Sequence, residues 1–195
     1  MRLRKKEHGR VRIDKPLSEN FALAIKHPGA FSALLHTLTK RFECFAIVRN
    51  PLATLGSWNS LAAFPLKDGH APIVEKLDVD LARELASESD AIKRQIRILE
   101  WFYDQFRRFL SDRAVIKYEK LVASKGRELA KIFPAATDLD EDLRSKNLSQ
   151  FYDRALMNQL AERLLKREGP IWSFYSKAEI TNLLNQLSSN TAAQV

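Results

Sequence analysis

The feature that most constrains this chain is an apolar run that stops on a proline. Cys44-Phe-Ala-Ile-Val48 carries no charge, and Arg49-Asn50-Pro51 follows it directly. A run of that length fits a buried strand, and proline cannot donate to a sheet ladder, so the strand must end here. Proline is preorganised for the first position of a helix and asparagine is among the best N-caps. The spacing therefore predicts a helix over Leu52 to Leu61. A strand running straight into a helix is the joint of an α/β sheet, and ligands bind such sheets at the carboxyl edge.

Other segments fit the same class. Phe21 to Ile25, and Ala114 to Ile116 with Tyr118, read as further buried strands. Between Phe21–Ile25 and Cys44, residues Phe31, Leu34, Leu35 and Leu38 recur at helical spacing. Strand, helix and strand in that order predict a right-handed parallel crossover. From Leu81 to Leu110 the apolar residues fall three, four or seven apart, which predicts one long amphipathic helix widened by Trp101, Phe102 and Phe109. Lys120 to Phe133 reads as a helix ended by Pro134, and Asn147 to Arg167 as another closed by Gly169-Pro170. Ser176-Lys-Ala-Glu179 is a capping box that opens a last helix, with Ile180, Leu183, Leu184 and Leu187 on its buried face. Ala63 to Asp80, with Pro65, Gly69 and Pro72 and little periodicity, reads as a long mobile loop in which His70 is solvated.

Composition bounds the rest. With 195 residues, 45% apolar and 29% charged, one domain over 1–195 is expected, with a basic arm at 1–20 and a frayed tail at 190–195. No stretch approaches the roughly 18 apolar residues that cross a bilayer. No apolar segment follows Met1-Arg-Leu-Arg-Lys-Lys, so the start does not read as a secretory signal and a cytoplasmic protein with no membrane partner is expected. Cys44 is the single cysteine, which excludes an intramolecular disulfide and a cysteine metal cluster, and it reads as a buried thiol. No His, Cys, Asp and Glu grouping has metal-ligand spacing. The net charge of +8 is spread over the whole chain apart from a dense run between Arg2 and Arg12, so a solvated basic surface is expected. Nucleic-acid binding is a weaker alternative, because no zinc-finger or aromatic RNA-binding signature accompanies the charge.

The Val48–Pro51 joint is the segment that can carry chemistry. A helix N-terminus offers free amides and a partial positive charge. Arg49 adds a guanidinium fork suited to phosphate, Asn50 caps the helix, and Ser57, eight residues after Arg49, adds a hydroxyl. Together they make a candidate anion site; pairing of Arg49 with a carboxylate is the competing reading.

Three motifs in order extend this. Ile47-Val-Arg-Asn-Pro-Leu-Ala-Thr-Leu-Gly-Ser-Trp58 resembles the 3′-phosphate-binding motif of sulfotransferases, in which a strand ends in Arg-Asn-Pro or Arg-Asp-Pro and a serine follows eight residues after the arginine. Upstream, Ala24-Ile-Lys-His-Pro-Gly-Ala-Phe-Ser-Ala-Leu-Leu35 resembles the preceding strand and turn of that family. Downstream, Ala114-Val-Ile-Lys-Tyr-Glu-Lys-Leu-Val122 is similar to its Tyr-Glu-Asp-Leu segment, with Lys120 where aspartate is usual. The resemblance covers most of residues 21 to 133 and extends weakly to the C-terminal helices.

The resemblance implies a P-loop NTPase-like three-layer fold with a short parallel sheet. It implies 3′-phosphoadenosine 5′-phosphosulfate as co-substrate, no metal, and in-line transfer of a sulfuryl group to an acceptor hydroxyl or amine. Lys26 and His27 are then the catalytic candidates, with His27 as base, although the family's cytosolic branch has one residue between lysine and histidine where here they adjoin. Arg144 and Lys146 would bring positive charge toward the 3′-phosphate beside Arg49, Asn50 and Ser57. The family's Pro-Lys-Ser-Gly-Thr-Thr loop for the 5′-phosphosulfate has no counterpart around any of the six glycines, at 9, 29, 56, 69, 126 and 169. The expectation is therefore a helix-rich, N-terminally truncated domain with an open sheet edge that invites self-association. It would act as an incomplete sulfotransferase or, alternatively, as a non-catalytic nucleotide-binding or protein-interaction remnant of the fold. The acceptor is not legible.

Overall fold

In the computed structural model, which describes residues 21–192 together with 12, 14, 16, 17 and 19, strand β1 (Ala46–Val48) pairs in parallel with β2 (Val115–Lys117). The register sets Ala46 against Val115, Ile47 against Ile116 and Val48 against Lys117. Most of the basic arm, His8 included, and the last three residues of the tail lie outside the described residues. Around this small sheet the chain is helical, so the class is α/β but helix-rich.

The run Phe21–Ile25 is not a strand. It is irregular, and Phe21, Leu23 and Ile25 are each more than half exposed. Local β preference supplies no ladder partner, and among the described residues no strand lies beside it. The helical spacing that follows is real but broken, giving α1 (Pro28–Ala33) and α2 (Leu35–Leu38). Beyond β1, the predicted helix forms as α3 (Pro51–Asn59), with Pro51 as its first residue.

Residues Ala63–Asp80 are structured rather than a mobile loop. They hold a 3-10 turn at Pro65–Asp68 and helix α4 (Pro72–Leu77), and Ala71 and Val74 enter the core. The segment is fastened from outside itself: Arg94 donates to Asp68 O at 2.7 Å and Gln95 to Lys67 O at 2.5 Å. These backbone contacts leave no trace in the local sequence.

The expected long helix is two. α5 (Val79–Ser87) and α6 (Ala91–Phe109) are separated at Glu88-Ser89-Asp90, where Asp90 Oδ1 accepts from the amides of Ile92 and Lys93 at 2.8 and 3.1 Å. An aspartate in the N-cap position starts a new helix, and Arg163 pairs with the same carboxylate. α5 then folds back on α6 and shares a core with it.

Helix α6 divides the interior. One side, through Ile96, Leu99 and Tyr103, packs with Val48, Leu52, Leu55, Val115 and the C-terminal helices α8 (Arg154–Leu165) and α9 (Lys177–Ala192). The other, through Ile98 and Trp101, packs with Ala71, Val74, Leu81 and Leu85. Beyond β2, helix α7 (Tyr118–Ala123) is short, because Lys125 and Gly126 adopt positive φ and a 3-10 turn at Arg127–Lys131 replaces the rest of the predicted helix. α8 begins at Arg154, not Asn147; its cap is Asp153, and residues 147–153 turn instead toward the strand β1. The capping box of α9 forms as read, with Ser176 N–H and Oγ bonded to Glu179 Oε2 at 2.7 and 3.0 Å. Cys44 is half-buried rather than buried, and desolvation raises its thiol pKa.

Gly69 is required where it sits. Its φ of +72° lies in the left-handed region, and a Cβ there would fall 2.9 Å from Ala91 O and 2.5 Å from Arg94 Cβ. Gly69→Ala is expected to cost about 1–3 kcal/mol from strain and overpacking together. Urea denaturation will show this as a lower midpoint with an unchanged slope.

Candidate functional site

The start of α3 accounts for its own amides. Pro51 has no N–H, the amides of Leu52 and Ala53 donate to Asn50 Oδ1 at 3.0 and 3.4 Å, and Thr54 N–H donates to Asn50 O at 2.9 Å. The sequence reading expected free amides for an anion at this terminus; the Asn50 cap takes them. Asn50 is buried, its Nδ2 donates to Glu179 O at 3.2 Å, and its own N–H donates to Glu119 Oε1 at 3.0 Å. Asn50 therefore builds the joint and offers no group to a ligand.

Arg49 sits one residue outside the cap. Its Nε donates to Asn147 Oδ1 at 2.7 Å, and Nη2 donates to Lys146 O at 2.6 Å and to the Tyr152 hydroxyl at 2.9 Å. The guanidinium lies over the Tyr118 ring, 5.1 Å from its centroid. Nη1 makes no hydrogen bond with any described residue and is not buried. Arg49 is thus paired with neutral acceptors and an aromatic face rather than with a carboxylate. Its charge is held in place and left uncompensated at one edge.

Glu119 organises the surroundings of that charge. Its carboxylate accepts from Asn50 N–H, from Asn147 Nδ2 at 2.7 Å and from the Tyr175 hydroxyl at 2.6 Å. Asn147 consequently bridges Glu119 and Arg49, which fixes the direction of its amide. Tyr175 also lies 3.1 Å from Val48 O, and the Tyr103 hydroxyl donates to Arg49 O at 2.6 Å. Burial raises the hydroxyl pKa of Tyr103, Tyr152 and Tyr175; the Glu119 charge raises Tyr103 and Tyr175 further, while Arg49 partly opposes the rise at Tyr152. All three therefore stay protonated through the neutral range.

The other predicted residues fall in three places. Ser57 is half-buried on α3, and its hydroxyl has no hydrogen bond with a described residue. Lys146 reaches Arg49, but through its backbone oxygen, which accepts from Nη2, while Arg144 pairs with Asp142 at 3.3 Å on the surface. Lys26 is exposed in the irregular segment before α1. His27 caps α1, its Nδ1 accepting from Ala30 N–H at 3.2 Å. No contact joins Lys26 or His27 to the Arg49 network among the described residues. Among the described residues there is likewise no group of three or more His, Cys, Asp or Glu side chains that could hold a metal ion.

Sequence reasoning passed over Glu119, Asn147, Tyr152 and Tyr175. Tyr118-Glu119 lies in the segment similar to Tyr-Glu-Asp-Leu and Asn147 adjoins Lys146, but neither residue type at that spacing points to a role. The partners that define their roles are 28 to 103 residues distant along the chain, so no local spacing could pair them.

Scans against protein-family models, curated proteins and solved structures each returned no match to this chain.

Two outcomes follow from the network. Tyr175→Phe strips Glu119 Oε2 of its hydroxyl donor and is expected to cost about 1–3 kcal/mol in chemical denaturation, with no change in secondary structure by circular dichroism. The second concerns pH. Burial pushes Glu179 up, but donors from Ser176 and the Lys117 ammonium outweigh it and leave its pKa below the ordinary glutamate value. A carboxyl depressed on folding contributes stability above its unfolded pKa and loses it as pH falls through the folded one. The stability difference between wild type and Glu179→Gln should therefore be present at neutral pH and shrink below the usual carboxylate range.

Proposed function

We propose that this chain is a sulfotransferase-like, P-loop-type nucleotide-binding domain whose Arg49 receives the 3′-phosphate of 3′-phosphoadenosine 5′-phosphosulfate. The observation that carries the reading is the presentation of Arg49: Nε and Nη2 are pinned by Asn147, Lys146 and Tyr152, and Nη1 is left open. A guanidinium already oriented loses little freedom when a phosphate arrives. Ser57 supplies the neighbouring hydroxyl, and Lys146 and Arg144 add positive charge on the segment that touches Arg49. In the complete reaction a base deprotonates the acceptor hydroxyl or amine, and cations stabilise the bridging oxygen as the sulfuryl group leaves its donor.

One observation favours the second reading, a binding domain without catalysis. His27 Nδ1 uses its lone pair to accept Ala30 N–H, so the neutral ring carries its proton on Nε2. No nitrogen lone pair is then available to take a proton from an acceptor unless the cap of α1 breaks. The 3′-phosphate contacts do not depend on that histidine.

The test is titration with 3′,5′-bisphosphoadenosine and with adenosine 5′-phosphate, followed by calorimetry and circular dichroism. Weak binding that requires the 3′-phosphate is expected, because the 195 residues hold no glycine loop for the second phosphate. Arg49→Met should weaken it by about tenfold or more, the loss of one charge-assisted contact. Equal affinity for the two nucleotides, or unchanged affinity in a folded Arg49→Met protein, would overturn the assignment. Sulfuryl transfer from labelled donor separates the two readings: turnover that His27→Ala reduces by about 10²–10⁴-fold supports the enzyme, and intact binding without turnover supports the binding domain.

A further inference from the structure

The face of α6 turned away from Arg49 carries a feature that the nucleotide reading does not use. Residues two apart on a helix lie roughly 200° apart around it. Gln105 therefore points away from Tyr103, whose hydroxyl reaches Arg49. Gln105 lines a cleft of about 710 Å³ between α1–α2, the α4–α5 junction and α6, a size in the roughly 300–1,000 Å³ range of small-molecule sites.

Gln105 is 91% buried, and its amide makes no hydrogen bond with any described residue. Its oxygen and nitrogen are not sealed from solvent, so the amide is open to a partner that enters the cleft. Around it the polar groups are unequal. The Lys40 ammonium, exposed at the rim, has neither a carboxylate partner nor a hydrogen bond among the described residues. Arg108 meets Asp104 Oδ2 at 3.5 Å, beside Arg107 on Oδ1 at 2.7 Å, and the Arg108 guanidinium lies 5.1 Å over the Phe109 ring. The one acid in the lining, Asp78, is spent on the protein itself, accepting from Leu81 N–H at 2.9 Å and from Trp101 Nε1 at 2.7 Å. His36 is engaged with Thr37 Oγ1 at 2.9 Å and leans on Phe109. Ala33, Leu77 and Phe109 supply apolar wall.

We propose that this cleft binds a small organic oxyanion, a carboxylate or phosphate monoester with an apolar body. Lys40 and Arg108 take the charged head, Phe109 and Leu77 take the body, and Gln105 hydrogen-bonds a polar group between them. Charge-assisted bonds to Lys40 and to the weakly paired Arg108 supply the affinity, and the amide of Gln105 supplies the orientation. The proposal is independent of the Arg49 assignment, since the two sites use opposite faces of α6.

Phenyl phosphate and benzoate serve as probes, titrated into isotopically labelled protein and followed by amide NMR. Inorganic phosphate and benzyl alcohol represent the head and the body alone. Saturable shifts of the Gln105 side-chain amide and of residues 36–40 and 105–109 are expected with phenyl phosphate or benzoate, and markedly smaller ones with either half. Which of the two acids binds more tightly distinguishes the phosphate from the carboxylate source. Lys40→Met, at an exposed position that does not endanger folding, should weaken the binding by about tenfold, and Gln105→Leu should weaken it while the amide spectrum of the free protein stays that of the same fold. No shift at the Gln105 amide, shifts of equal size with inorganic phosphate, or unchanged affinity in Lys40→Met would each overturn the proposal.

Discussion

Three hydrogen bonds to one carboxylate hold the parts of this protein in their relation to each other. Glu119 accepts from the main chain of Asn50, from the side chain of Asn147 and from the hydroxyl of Tyr175. Those donors belong to the start of α3, to the turn before α8 and to the turn before α9. Glu119 itself opens α7 directly after β2, so the parallel pair of strands and the C-terminal helices meet at a single acidic group. Glu119 is half-buried, and an acceptor that binds three donors in a partly desolvated network is worth more than its separate bonds.

The same arrangement decides what Arg49 can do. Asn147 is held by Glu119 on its amide nitrogen and therefore presents its oxygen to Arg49. Tyr152 and the carbonyl of Lys146 take the second edge, Tyr118 lies beneath, and only Nη1 stays open. An arginine beside an acid would have its charge cancelled; here the acid lies one residue removed, and neutral oxygens hold the guanidinium. That separation leaves the strand-end guanidinium without a carboxylate partner among the described residues, even though Asn50 has taken the amides of α3.

Helix α6 has a comparable role on a larger scale. It contributes Ile96, Leu99 and Tyr103 to one core and Ile98 and Trp101 to the other, and its Arg94 and Gln95 fasten the backbone at Lys67 and Asp68. Its two faces consequently serve two different places, the Arg49 joint through Tyr103 and the cleft that Gln105 lines.

Short-range physics was legible in the chain. Asn50-Pro51 started α3, the Ser176–Glu179 box started α9, the apolar runs before Arg49 and at Val115 made strands, and the stripe from Ile96 to Phe106 made the buried faces of α6; each is set by neighbours within one turn or a few residues. Where partners were remote, local pattern misled. Phe21–Ile25 has strand character but no strand beside it among the described residues, the Leu81–Leu110 stripe hid an aspartate cap because α5 folds back onto the same helix, and Ala63–Asp80 is ordered by side chains of α6. Arg49 could be picked out as the strand-end cation, but its holders Asn147 and Tyr152 and the hub Glu119 could not. A helix cap or an apolar period is written within reach of its own hydrogen bonds, whereas a carboxylate that joins Asn50, Asn147 and Tyr175 acquires its meaning only when folding brings those three together.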